Sequence, residues 1–225
     1  MFVLWGAASS ASAWRICKTK GTMTLHLAEA VVIAYLLGGI PFGYLFVRFA
    51  MGKDIRSMGS GNIGATNVHR SAGGKAGVIV LLLDIAKGFV AVWIAALLNP
   101  GSPLALALAA VAVMIGHAFP VFLRFKGGKA VACFIGAFLY TAPLALVAVL
   151  LIFVLVVAVT KYISLGSIIA ALLFPLAVWL ILHPPSPIVW ASLFSALFIV
   201  YRHKANIQRL AGGTENVFSL KGRRR

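Results

Sequence analysis

Acidic side chains are what this chain most lacks. Its 225 residues contain four, Glu29, Asp54, Asp84 and Glu215, against twenty lysines and arginines, for a formal net charge of +16. No two of these acids share an element at a spacing suited to general acid and base work, so chemistry run by paired carboxylates is excluded. Cysteine is nearly as scarce. Cys17 and Cys133 give no disulfide framework, and no cluster of His, Cys, Asp or Glu has zinc spacing. Both thiols are expected to be free, and neither a metal nor a cofactor is expected.

What is abundant is hydrocarbon. The hydrophobic share is 62% and the mean hydropathy +1.02, where soluble domains are roughly half apolar. Such a chain belongs in a bilayer. A basic excess can serve nucleic acid, anionic lipid or an anionic substrate. The hydropathy favours membrane lipid and phosphorylated substrates, and no nucleic-acid partner is expected.

The apolar runs predict an all-α polytopic membrane protein with about seven transmembrane helices. They fall near 27–49, 76–98, 104–123, 130–140, 144–160, the stretch after Ser167 to 182, and 188–201. Gly38, Gly39 and Pro41 allow close packing or a kink in the first, and the fourth is short. Residues 1–22 are too short in apolar length to span and carry Arg15, Lys18 and Lys20. We expect them to be a dispensable extension or a mis-assigned start, followed by a membrane domain over 23–218 and a basic tail over 219–225. Arg223 to Arg225 would touch anionic lipid.

The cations sort by side. Arg48, Lys53, Arg56, Arg70, Lys75, Arg124, Lys126, Lys129, Lys161 and the basic residues from Arg202 onward fall in alternate connections and the C-terminal segment. The turns at 99–103, 141–143 and 183–187 hold none. By the positive-inside rule the N-terminus is outside, the C-terminus is cytoplasmic, and every polar island faces the cytoplasm. Arg15 to Lys20 opposes this assignment.

Four polar islands therefore meet at one membrane face. The richest is Gly59-Ser60-Gly61-Asn62-Ile63-Gly64-Ala65-Thr66-Asn67-Val68-His69-Arg70. Its glycines let backbone N–H groups form a concave anion nest, Ser60, Asn62, Thr66 and Asn67 offer neutral hydrogen bonds, and Arg70 supplies a cation. G-x-G-x-x-G is met by Gly59, Gly61 and Gly64, but an apolar helix and a charged loop precede it where a dinucleotide fold needs a strand. Ala65 stands where a phosphate-loop ATPase needs lysine. Asp84 and Lys87, three apart on one helical face, are a structural staple or part of the site, the former being favoured. His117 is expected as a buried helix-end residue capping a carbonyl, Arg124 and Lys126 as solvated charges, and Glu215 as a salt-bridge partner.

No histidine is followed by aspartate five positions on, and G-x-S-x-G is absent. A reaction at such a site must use substrates that bring their own reactivity, while the protein supplies position and positive potential. An acyl phosphate, a mixed anhydride with phosphate as leaving group, meets that description. The membrane carrier or channel for phosphate or a phosphorylated metabolite is the alternative, weakened by the lack of a second polar stripe and of repeat symmetry. A noncatalytic lipid-head-group binding module is a third, weaker reading.

Four motifs carry a resemblance. G-S-G-N-I-G-A-T-N-V-x-R at 59–70, G-H-x-F-P-x-x-x-x-F-K-G-G-K at 116–129, S-L-G-S at 164–167 and R-H-K-x-N-I-x-R-L-x-x-G-T-E at 202–215 resemble the bacterial acyl-phosphate:glycerol-3-phosphate acyltransferases known as PlsY. The resemblance implies a seven-helix inner-membrane enzyme that moves a fatty acyl group from acyl phosphate to the 1-hydroxyl of glycerol 3-phosphate, forming lysophosphatidic acid and phosphate. It implies catalytic roles for Ser60, Arg70, Lys129, His203 and Asn206. It implies phosphate or substrate contacts from Gly61, Asn62, Gly64, Thr66, Asn67, Gly127, Gly128 and Ser167. The base would be His203 or the acceptor's own phosphate. Ala130 and Cys133 replace the family's usual glycine and threonine, which reads as a matter of helix packing.

Overall fold

The computed structural model describes residues 25–218, so the extension at 1–22 and the tail at 219–225 lie outside it. Among the described residues the chain is all-helical. Helix α1 covers 25–39, and α2 is Phe42–Met51, separated from it at Ile40-Pro41 because Pro41 has no N–H to continue the ladder. Then follow α3 (Ala65–Ala72), α4 (Gly74–Leu98), α5 (Pro103–Ala118), α6 (Val131–Thr141), α7 (Pro143–Thr160), α8 (Ile163–Leu182), α9 (Ser186–Arg202) and α10 (Lys204–Ala211).

Five described stretches are long and apolar enough to cross a membrane: Leu25–Met51, Gly74–Leu98, Pro103–Leu123, Pro143–Thr160 and Ile163–Leu182. Helices α6 and α9 are shorter. At 1.5 Å per residue, α6 reaches only about 16 Å, half of a hydrocarbon core. It is held inside the bundle instead. Gly88 of α4 lies against the Cys133 carbonyl of α6, and Gly136 of α6 against the Ile85 carbonyl of α4, so closely that a Cβ at either position would strike backbone. Small residues at such crossings let dispersion act between backbones where lipid offers no hydrophobic drive. Below this crossing Phe134, Phe138 and Phe174 form an aromatic core with ring centroids 4.7–5.0 Å apart. Outward, Leu151, Val154, Leu155 and Val159 of α7 are left exposed, as a lipid-facing surface requires.

Two boundaries differ from the sequence reading. The 59–70 motif is only half loop, since α3 begins at Ala65. The S-L-G-S island is the first turn of α8 rather than a connection before it. Lys161, in the left-handed region with φ 63°, ends α7 and reverses the chain at once, so the two serines fall on one helical face.

Candidate active site

The polar islands converge on one cavity of about 400 Å³. Ser60, Asn62, Gly64, Thr66, Asn67, Arg70, Lys129, Ser167, His203 and Asn206 all line it. The lining is of two kinds. Besides the polar groups it includes hydrocarbon, with Leu81 from α4, Ile135 from α6, Val149, Phe153 and Val157 from α7, and Ala171 from α8. A molecule with an anionic head and an aliphatic tail matches that division.

Asn67 organises the first island. It is 2% exposed, and its Nδ2 donates to the carbonyls of Met58 at 2.9 Å and Asn62 at 2.8 Å, while its Oδ1 accepts from the Ser60 amide at 2.9 Å. Asn62 Oδ1 accepts from the Gly64 amide at 2.8 Å, and the Gly61 amide donates to Met58. The nest expected from three glycines is thus closed upon itself. Gly59 and Gly61 take φ of 56° and 70° to make this turn, and Gly64 is extended. Asn67 shapes the loop rather than holding an anion with its side-chain amide. What faces a ligand is the start of α3, where the Ala65 and Thr66 amides precede the helical ladder and no side chain caps Gly64. The Thr66 hydroxyl and the exposed Arg70 lie within the next turn.

Gly127 and Gly128 are likewise not anion ligands. Their amides donate to the carbonyls of Ala118 and His117, and a Cβ on either would collide with His117. Their carbonyls accept from Arg202, Nε to Gly128 at 3.1 Å and Nη2 to Gly127 at 3.3 Å. The Arg202 guanidinium also lies over the Phe119 ring, 4.9 Å from its centroid. The segment is pinned from both sides so that Lys129 enters the cavity. Arg202 was visible in its motif, but no local pattern shows that it holds a loop 74 residues away. Burial, opposed by Glu215 and reinforced by the nearby cations of Arg209, Arg70 and Arg202, pushes the Lys129 ammonium down to about 8.

Ala130, read above as a packing substitution, has φ 63° at the N-cap of α6. The left-handed conformation, rather than helix contact, is why glycine suits this position.

At the C-terminal side, His203 is 2% exposed and its Nδ1 lies 2.8 Å from the Ile199 carbonyl oxygen. A carbonyl only accepts, so Nδ1 carries the proton and Nε2 is left as an acceptor. Burial, then the Lys129 charge, lowers His203 to about 4. Asn206 Nδ2 donates to Glu215 Oε1 at 2.8 Å, and Glu215 Oε2 pairs with Arg209 at 2.9 Å. Glu215 is therefore the salt-bridge partner that ties the last motif to the cavity, and it lines that cavity itself.

Asp84 and His117 also reach the cavity wall. Asp84 is 2.7 Å from Lys87 Nζ and 3.7 Å from His117 Nδ1, and all three are buried. His117 Nδ1 has no hydrogen-bond partner, so this nitrogen does not make the carbonyl cap that was expected. Asp84, His117 and Cys133 bring potential ligand atoms within 4.8 Å of one another. The Lys87 ammonium already neutralises the only carboxylate of that trio, so an ion-pair network describes it better than a metal centre.

This fold and cavity define a class, an integral membrane protein built around a site for a phosphate-bearing amphiphile. The chain belongs to the glycerol-3-phosphate acyltransferase family, whose model matches residues 28–213. It is 45% identical over 188 residues to the glycerol-3-phosphate acyltransferase of Syntrophotalea carbinolica, covering 84% of this chain and 95% of that one. With the Geobacter sulfurreducens glycerol-3-phosphate acyltransferase it shares 46% over 186 residues, 83% and 94% of the two chains. Among solved structures it resembles the integral membrane glycerol 3-phosphate acyltransferase PlsY (YgiH). The glycerol 3-phosphate form matches with TM-score 0.81 and 36% identity, over 86% of this chain and 96% of that one. The lysophosphatidic acid form matches with TM-score 0.78 at 35% identity and the same coverage.

Proposed function

We propose that the chain transfers a fatty acyl group from acyl phosphate to the 1-hydroxyl of glycerol 3-phosphate, giving lysophosphatidic acid and inorganic phosphate. The observation that carries this reading is a single cavity lined both by Arg70 and Lys129 and by aliphatic side chains of α4, α6, α7 and α8. The relatives named as glycerol-3-phosphate acyltransferases, and the neighbouring structure with its two bound forms, supply the acceptor and product classes.

In this reading the start of α3, Ser60, Asn62 and Arg70 hold the acceptor's phosphate. His203 Nε2 and Asn206 Oδ1 accept from the glycerol hydroxyls and turn the 1-hydroxyl oxygen toward the acyl carbonyl. Lys129 neutralises phosphate charge and polarises that carbonyl. The new C–O ester bond forms as the C–O bond to phosphate breaks, and phosphate departs with the bonding pair. The hydroxyl proton passes to the acceptor's phosphate, whose second pKa is near 6. Burial and the Lys129 charge lower His203 to about 4 in the free site, which supports giving the proton to the phosphate in this reading. His203 orients and does not abstract.

Residues 23–218 form one catalytic unit in this proposal. The cationic connections support a cavity mouth and C-terminus on the cytoplasmic side of a bacterial inner membrane, an N-terminus outside and seven crossings, α6 and α9 being the short ones. Purified protein given acyl phosphate and glycerol 3-phosphate should form lysophosphatidic acid. Absence of product would end the reading, and equal turnover with acyl-CoA would overturn the donor class. A carrier would give flux across vesicles without product.

A further inference from the structure

The residue before Lys129 is fixed on three sides. Gly128 is buried, its amide donates to the His117 carbonyl at 3.0 Å, and its carbonyl accepts from Arg202 Nη2 at 3.0 Å. Both of its backbone groups are thus spent within the protein. Gly128 takes no positive φ, so the conformational freedom that often explains a glycine is not in use here. Space explains it instead. A Cβ on Gly128 would strike His117 Nε2, with two carbons of the same ring within 3.2 Å, so the imidazole stands directly against this backbone.

The ring is itself backed. His117 lies in the last turn of α5 and is 4% exposed, with Asp84 Oδ1 of α4 3.7 Å from its Nδ1 and Lys87 Nζ 2.7 Å from that same oxygen. At 3.7 Å the ring and the carboxylate meet as packing rather than through a hydrogen bond. Asp84 and His117 both line the cavity that Lys129 enters. A lysine head on its flexible four-carbon stem stays in one place only where the backbone beneath it cannot shift. Misplacing a catalytic group by about 1 Å can cost about a hundredfold in rate.

We propose that His117 is a positioning residue for Lys129: its imidazole, backed by Asp84, is the wall on which Gly128 seats, and that wall sets where the lysine head enters the cavity. This rests on the acyl-transfer reading above. It gives the buried Asp84 and Lys87 pair a part in the site without contact to substrate. It also makes the second glycine of G-G-K the partner of a side chain on α5.

The test uses Gly128→Ala, His117→Ala and the two together in the full chain. Gly128→Ala should lower kcat/KM by about a hundredfold, because the added methyl pushes the segment off the ring. Removing the ring makes room for that methyl, so the double variant should recover about tenfold or more over Gly128→Ala, the non-additivity expected of groups in contact. Losses that simply multiply, or a Gly128→Ala enzyme of normal activity, would overturn the proposal.

A second measurement follows Lys129 without turnover, through the rate at which an amine reagent labels it at each pH, read by mass spectrometry of its peptide. Burial holds that ammonium down to about 8. In His117→Ala the segment is freer to meet water, so the labelling midpoint should rise toward the ordinary lysine range, whereas His117→Gln, which keeps much of the ring's bulk, should hold it near its original place. An unmoved midpoint in His117→Ala would overturn the proposal, as would an equal rise in His117→Gln. A protein that labels as expected and makes no lysophosphatidic acid would sink the functional reading alone.

Discussion

The Lys87 ammonium donates a 2.7 Å hydrogen bond to the carbonyl oxygen of Ile40, at the break between α1 and α2. It does so while 2.7 Å from Asp84 Oδ1, so one cation bonds a carbonyl at the break, which also accepts from the Phe42 amide, and neutralises a buried carboxylate. The Asp84 and Lys87 staple expected from their spacing is thus tertiary as well as local.

Lys87→Met should leave Asp84 buried without its counter-charge and cost about 3–5 kcal/mol. In the double variant Asp84→Asn with Lys87→Met most of that loss should return. Thermal unfolding in detergent measures both. A single variant as stable as the original would show that the pair contributes nothing to the fold.

Ala130→Gly should stabilise the protein by about 1 kcal/mol, because alanine at φ 63° carries a steric penalty that glycine does not. Part of the gain is offset by the greater freedom of glycine in the unfolded chain. Chemical denaturation in mixed micelles reads the sign. A loss of stability would contradict the conformational explanation.

Asn67→Asp keeps the acceptor for the Ser60 amide but cannot donate to Met58 and Asn62. It should open the loop and lower kcat/KM by about a hundredfold, at 1.4 kcal/mol for each factor of ten, while the helical circular dichroism is kept. An Asn67→Asp enzyme of near-normal activity would remove Asn67 as the organiser of the α3 start.

Arg70→Ala and Lys129→Ala should each leave a folded protein and lower kcat/KM by about 10²–10³, the range for losing one charged stabilising group. Substantial activity in either variant would take that residue off the catalytic list.

Lys129 also sets a pH limb. With its ammonium lowered to about 8, the charge is present below that pH and lost above it, so kcat/KM should fall as pH rises through about 8. Lys129→Arg should carry this limb out of range, since guanidinium stays protonated. His203, lowered to about 4, stays neutral from pH 5 to 8 and should contribute no acidic limb there. A profile flat from pH 7 to 10 would refute the Lys129 assignment.

Much of the site was legible because its residue types are improbable where they stand. Ser60, Arg70, Lys129, His203 and Asn206 are polar groups beside apolar helices, and they do share a cavity. Gly127 and Gly128 were misread as anion ligands because a glycine pair looks the same whether it exposes amides or lets backbones touch. Only the neighbouring His117 and Arg202 distinguish the two. The partner of Ser167 was not legible, since α8 starts earlier than the polar run suggests and its Oγ therefore reaches the Ile163 carbonyl.

Composition and periodicity alone decided that the chain is helical, that it lives in hydrocarbon, and that its cations gather at alternate connections. These are properties of local transfer free energy, summed along the chain and needing no partner. Tertiary packing decided which glycines touch backbone, which backbone amides are already bonded, and that Lys129 is buried between Glu215 and neighbouring cations. Those outcomes depend on groups far apart in sequence, whose desolvation and contacts exist only once the helices have met.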